Sequence, residues 1–399
     1  MQTPLQNSPP PAWQTDWRYG GFGVYVHWPF CAAKCPYCDF NSHVTGSVDH
    51  DAWANAMVKE ITATAAWIPR RRVDTVFFGG GTPSMMAPRT VDRVLGAIAR
   101  NWTLTDNAEI TLEANPTSVE AEKFADFAKA GVNRVSIGVQ ALNDVDLRRL
   151  GRMHSTTEAI EAIEIARQKF ERMSFDLIYA RQDQTADAWA SELGQALALG
   201  SDHLSLYQLT IEPGTVFGAR HARGKLRGLP TDALAEDLYF ATQDTCEAAG
   251  LPAYEVSNHA RPGQESRHNC IYWRYGDYAG IGPGAHGRLT CDTGRWATVT
   301  PTQPSDWLSA VDRHGTALSF DEMLTPDNQA TEYAMMGLRL AEGISLSRVR
   351  AMAPGLIASD AIIALKLWGL ITQEGDLLRS TRKGRPLLNR VILELLSGD

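Results

Sequence analysis

The chain has 399 residues, of which 44% are hydrophobic and 21% charged, the balance of a globular protein with a large core and not of a disordered or fibrous one. Its 46 acidic and 38 basic residues leave a net charge of −8, which argues against a general nucleic-acid-binding surface. No apolar run reaches transmembrane length. Of the six cysteines, three sit in one cluster that has to stay reduced, which points to the cytoplasm.

Residues 1–20 hold Pro4, Pro9, Pro10 and Pro11 without a hydrophobic signal core, and are expected to form a flexible tail. From Val24 to Gln208, short apolar runs alternate with helix-length amphipathic segments, the pattern of a parallel α/β domain. Strands are expected at 24–28, 74–78, 110–113, 134–139, 173–178 and 203–207. Helices at 49–67, 88–100, 119–130, 156–169 and 186–199 connect them, the first capped by Ser47 or Asp49. A further long amphipathic helix is expected at 231–249. From about Leu324 the chain turns helical, at 329–341, 345–352, 359–368 and 386–396. A hairpin of 369–372 and 377–379 turns through Glu374-Gly375-Asp376. Helices with a small hairpin suggest a winged-helix-like lid or docking module, and its mixed charges argue against nucleic acid.

The stretch that organises the chain follows the first strand: Cys31-Ala32-Ala33-Lys34-Cys35-Pro36-Tyr37-Cys38, with cysteines at C-x3-C-x2-C. Thiolates at such short intervals can wrap one iron–sulphur centre. A cube of four irons needs four ligands to close, so three cysteines leave one iron open. A structural zinc ion is the alternative, and would need His27 or His43 to complete its tetrahedron.

Other polar residues fall at the carboxyl ends of the expected strands, the rim where parallel barrels build their sites. Gly79-Gly80-Gly81-Thr82-Pro83 follows the second strand, Glu113 ends the third and Gln140 the fourth. Asp176 lies at the end of the fifth and Gln208 ends the sixth. Six placements in register imply one shared cavity. Glycines admit close backbone approach, Glu113 can accept from an ammonium or ribose, and Gln140 both donates and accepts. Arg152, in Gly151-Arg152-Met153-His154, can grip a carboxylate. Taken singly, each also has a plain reading as a tight turn, a solvated acid, a core-edge amide or a surface arginine.

Further on, Ser266-Arg267-His268-Asn269-Cys270-Ile271-Tyr272-Trp273 precedes the glycine-rich run from Tyr278 to Gly287. A histidine among aromatics suits a flat macrocycle with imidazole as axial ligand, and Cys270 is a second candidate. Alternatively His268, Tyr272 and Trp273 only pack the open side of the barrel.

C-x3-C-x2-C with Tyr37 before its last cysteine resembles the signature of the radical S-adenosylmethionine (SAM) superfamily. The wider stretch from Tyr25 to His43 resembles the branch holding oxygen-independent coproporphyrinogen III oxidase (HemN) and the heme chaperone HemW, and the resemblance runs to the C-terminus. It implies an α/β fold: a partial (β/α)6 radical-SAM barrel over 21–215, an extension over 216–322 and a HemN-like helical domain over 323–399. It implies a [4Fe-4S] cluster on Cys31, Cys35 and Cys38, with SAM on the open iron. The SAM contacts it implies are Tyr25, Tyr37, Gly80, Gly81, Thr82, Glu113, Gln140, Arg152 and Asp176, and His268 is the implied heme contact.

Three features favour the chaperone branch over the oxidase. Phe40 stands where the oxidase has a further cysteine, only 24 residues precede Tyr25, and His268-Asn269-Cys270-Ile271-Tyr272-Trp273 matches the HNxxYW element of the chaperones. The resemblance then implies heme delivery to apo-hemoproteins such as respiratory enzymes, a bacterioferritin-like heme donor and peripheral membrane contact. The alternative is radical decarboxylation of coproporphyrinogen III in porphyrin biosynthesis. One departure concerns both branches: Ala180-Arg181-Gln182 replaces the usual Gly-Leu-Pro after Asp176-Leu177-Ile178-Tyr179, and Arg181 is expected to offer a cation to a ligand carboxylate.

Overall fold

β1 (Phe22–Trp28) is buried at six of its seven positions, as a strand between two parallel neighbours must be. Around it the computed structural model, which describes residues 15–397, builds an eleven-stranded sheet. The chain runs on through α1 (His50–Trp67), β2 (Arg72–Gly80), α2 (Pro88–Asn101), β3 (Thr103–Ala114), β4 (Arg134–Gln140), α3 (Thr156–Lys169), β5 (Arg172–Tyr179), α4 (Ala186–Ala198) and β6 (His203–Gln208). β1 to β6 lie side by side in chain order and all parallel, which is the expected six-stranded β/α unit. Three of its helices, α1, α3 and α4, begin where a short polar side chain caps them. Asp49 accepts from the amides of Asp51 and Ala52 at the start of α1, and Ser155 with Glu158 forms a capping box at the start of α3.

After α5 (Asp232–Ala248) the chain adds β7 (Asn258–Ala260) antiparallel to β6, then α6 (Arg267–Trp273) and β8 (Asp277–Ile281). β8 returns to the far side of β1 and pairs with it in parallel, Val24 opposite Ala279. β9 (His286–Cys291), β10 (Gly294–Val299) and β11 (Ser319–Met323) continue the sheet antiparallel. None of these was expected as a strand, and the glycines of 280–287 pointed only to close backbone packing or ligand approach. Gly280 in fact serves the close crossing of two strands: a Cβ there would stand 2.2 Å from the His286 carbonyl oxygen. The single helix expected at 119–130 is two, Ser118–Ala121 and Phe124–Lys129.

The C-terminal part packs four helices, Pro326–Gly337, Leu346–Met352, Ser359–Leu367 and Leu388–Leu396, on a three-stranded sheet whose main hairpin is Ile371–Glu374 with Leu377–Ser380. It has its own core around Tyr333, Leu365, Leu378 and Val391. The expected tail is corrected in part. Residues 1–14 lie outside the described residues, but Asp16 is buried and pairs with Arg348 of the C-terminal part through two contacts, 2.7 and 2.8 Å. A buried carboxylate with two charge-assisted bonds anchors residues 15–20 against the fold.

Candidate functional site

The cysteine loop leaves the carboxyl end of β1. Cys31 lies on the short strand Phe30–Cys31, which pairs with His43–Val44, and Cys35 and Cys38 lie on the turn between, closed by a 3.1 Å bond from the Cys38 amide to the Cys35 carbonyl. Neighbouring elements pin this turn. The Asn41 amide donates to the carbonyls of Pro283 (3.1 Å) and Thr302 (3.0 Å), tying it to the glycine-rich run before β9 and to the segment after β10. Gly151, at φ +69°, stands against Pro36, whose Cδ would be 2.6 Å from a Cβ there. All three thiols are free, and burial raises those of Cys31 and Cys38.

A directed run of donors ends on two of the sulphurs. Arg152 Nη1 donates to Cys35 Sγ at 3.5 Å, while its Nη2 donates to Asn115 Oδ1 (2.6 Å) and Gly138 O (2.8 Å). Asn115 Nδ2 donates to Thr82 Oγ1 (3.2 Å), and that hydroxyl donates to Cys31 Sγ (3.4 Å). Such donors favour thiolate over thiol, the form in which cysteine ligates a metal.

The zinc alternative fits less well. His27 engages both ring nitrogens: Nε2 faces the Asn41 carbonyl at 2.9 Å and must donate, so Nδ1 accepts from the Tyr25 hydroxyl at 3.0 Å. His43 Nε2 is bound to Asn41 Oδ1 at 3.1 Å. Among the described residues, no three His, Cys, Asp or Glu side chains converge as one metal ion would require.

The three cysteines line a cavity of about 150 Å³ together with Tyr37, Gly80, Gly81, Thr82, Glu113, Gln140, Arg152 and Asp176. Residues drawn from five strand ends therefore meet in one place. The glycines are needed there: Gly80 has φ +113° and a Cβ on it would lie 2.6 Å from the His27 ring, while one on Gly81 would lie 2.7 Å from the Phe30 carbonyl. Gln140 takes φ +72°, a conformation that costs a side-chain-bearing residue strain and is concentrated at ligand sites.

Two acids face this cavity. Glu113 accepts from the Gly80 amide at 3.2 Å, yet burial and the nearby Asp176 push it up to about 8. Asp176 is pushed up to about 6 by burial, against hydroxyl bonds from Ser205 and Ser136. Near neutral pH Glu113 is mostly protonated, and a cationic ligand would favour its ionised form.

Tyr25 opens instead onto a neighbouring groove of about 500 Å³, which shares Phe40, Gly80 and Glu113 with the cysteine cavity. Asn41 and Asn115, which hold the loop and relay to the sulphurs, were not singled out in the sequence. Their only signal is position, Asn115 two residues past Glu113 and Asn41 three past Cys38.

Three expectations are corrected. His268 is buried in the barrel, with Nδ1 2.6 Å from the Thr75 hydroxyl and Nε2 2.7 Å from the Tyr272 hydroxyl, and its ring stacked on Phe77 at 5.0 Å. Burial pushes it down to about 3, so it is neutral, and both nitrogens are engaged by protein hydroxyls. It packs the barrel, as the plain reading had it. Cys270 is buried too, its thiol pushed up to about 12 by burial. Arg181 offers no cation to a ligand: it is buried between Glu192 and Asp146 (2.9 Å) and donates to the Ile178 carbonyl at 2.7 Å. Ala180 and Asp183 both stand at φ +57°, so the loop keeps left-handed turns without glycine and is closed by an internal ion pair.

A family model described as the radical SAM superfamily matches residues 25–191, and one described as the HemN C-terminal domain matches residues 324–387. The heme chaperone HemW of Escherichia coli (strain K12) is 38% identical over 386 residues, covering 94% of this chain and 98% of that one. The chain belongs to the HemW family of the radical SAM superfamily. A mitochondrial relative from Mus musculus, radical S-adenosyl methionine domain-containing protein 1, is likewise 38% identical, over 94% of this chain and 87% of its own. The solved coproporphyrinogen III oxidase (HemN) of Escherichia coli matches with a TM-score of 0.80 at 23% identity, covering 96% of this chain and 93% of that one, which shows a shared α/β fold. For a HemW-family chain, radical SAM membership implies a [4Fe-4S] cluster and SAM. Among the described residues, no helix is long and apolar enough to cross a membrane.

Proposed function

We propose that the protein is a heme chaperone that holds a [4Fe-4S] cluster, SAM and heme, and hands heme to apo-hemoproteins such as respiratory enzymes. The observation that carries this reading is the 38% identity to a heme chaperone HemW across nearly the whole of both chains. Cys31, Cys35 and Cys38 would hold the cluster, and Thr82 and Arg152 would donate to the ligating sulphurs. Tyr25, Tyr37, Gly80, Gly81, Thr82, Glu113, Gln140, Arg152 and Asp176 would surround SAM, with Glu113 and Asp176 facing its positive charge. When bound, these groups supply one-electron reductive chemistry at the SAM sulphonium. Reduced thiols of this kind fit a cytoplasmic protein.

Phe40 supports the chaperone over the oxidase. It is 61% exposed and lines both the cysteine cavity and the groove, at the position where the oxidase resemblance calls for a further cysteine. The test is transfer. Protein reconstituted without oxygen and loaded with one heme is mixed with an apo-hemoprotein, and the acceptor's heme absorbance is followed. The reading expects stoichiometric transfer faster than from free heme; heme that stays on the protein, or never loads, would overturn it.

A further inference from the structure

We infer that heme lies in the aromatic groove beside the cysteine cavity, with His286 as an axial ligand of its iron and Arg339 meeting a propionate. This rests on the heme-chaperone reading above and deepens it by naming residues that the resemblance did not. The groove, about 500 Å³, is walled by Tyr272, Trp273 and Tyr278, with His286 and Met336 also lining it. Tyr272 and Tyr278 meet edge to face at 4.5 Å, so the groove carries aromatic surface against which a planar macrocycle can pack.

His286 differs from the buried histidines around it. His27 and His268 have both ring nitrogens engaged. His286 is exposed, and among the described residues its ring has no hydrogen bond or ion pair. Its backbone is nevertheless fixed, in register with Val299 of β10 and packed closely over Gly280. A fixed backbone carrying a free imidazole at the edge of an aromatic groove is what an axial ligand requires.

Arg339 supplies the complementary charge. Its guanidinium carbon stands 5.1 Å from the Trp273 ring centroid, and its Nε is buried without a hydrogen-bond partner. The other arginines of this region are committed, Arg288 to Glu332 and Arg274 to Glu342, each at 2.8 Å. Arg339 has no carboxylate among the described residues, so a propionate would meet an unpaired fork.

The experiment titrates heme into the anaerobically reconstituted protein and reads the Soret band and the iron spin state by electron paramagnetic resonance. His286→Ala is expected to weaken heme by about tenfold or more and to change the Soret band and iron spectrum, both of which added imidazole restores. Arg339→Gln is expected to weaken heme by about threefold or more with the iron signature unchanged, because a propionate contact leaves the axial ligand in place. His314→Ala, an exposed histidine at the end of the helix Pro304–His314, controls for surface scavenging and is expected to titrate as the parent does. Equal cluster iron and circular dichroism show that each variant is folded, and His286→Gln carries the same expectation should the alanine variant misfold. Parent-like affinity and spectrum in folded His286→Ala would overturn the assignment while leaving the chaperone reading standing. A parent protein that takes up no heme would overturn both.

Discussion

Glu113→Gln gives the sharpest test of how the cavity treats a cationic ligand. Burial and Asp176 push Glu113 from its ordinary 4.5 up to about 8. At pH 7 only about one molecule in ten then carries the carboxylate, at pH 6 about one in a hundred, and at pH 8 about half. A ligand that needs the ionised acid must expel that proton, so its affinity follows the ionised fraction. The ratio of parent to Glu113→Gln affinity for SAM is therefore expected to rise about ninefold from pH 6 to 7, about fivefold from 7 to 8, and less than twofold from 8 to 9. Taking the ratio cancels the titration of SAM itself. Equilibrium dialysis of radiolabelled SAM without oxygen, at four pH values, measures it. For the unliganded fold the sign is reversed: a raised acid favours the folded state most below about 4.5, and that contribution is lost as pH climbs through about 8. A ratio that stays flat across the four pH values would refute the reasoning.

Other expectations follow from single contacts. Cys35→Ala, purified without oxygen, should lose its iron and brown colour while keeping its circular dichroism; iron at the parent level would count against the cluster assignment. Arg181→Met should destabilise by about 3–5 kcal/mol, because it strands buried Glu192 without its cation, and Arg181→Met with Glu192→Leu should recover much of that. Anaerobic urea unfolding checks this, and a double variant no more stable than the single one would contradict it. Gly80→Ala should cost about 1–2 kcal/mol for its left-handed backbone, with a further loss from the 2.6 Å approach to His27, and should weaken SAM binding. Parent-like stability and SAM affinity would show that the close approach is not needed.

What was legible in the sequence was local chemistry with a fixed period. Six strand–helix alternations, and polar residues at their carboxyl ends, were readable because a parallel strand's face and exit are set by its own residues. The cysteine spacing placed the loop for the same reason. β8 was missed because its membership of the sheet depends on a return to β1 from more than 240 residues away, and its glycines, read alone, say only that something packs closely there. His268 misled because a histidine among aromatics looks the same on paper whether it faces a ligand or, as here, two hydroxyls in a core. Arg181 misled similarly: its partners Glu192 and Asp146 lie on other elements, and only the fold brings them around it. His286 carried only its place in the glycine-rich run, since its distinction is the absence of a partner.

The most direct test of the account is to offer one anaerobically reconstituted sample both possible fates. Coproporphyrinogen III, SAM and a reductant are supplied, and protoporphyrinogen and carbon dioxide are measured, while a parallel aliquot is titrated with heme by absorbance. The account predicts saturable heme uptake near one per chain and no multiple-turnover decarboxylation. Sustained carbon dioxide release at two per substrate, with no saturable heme site, would contradict it.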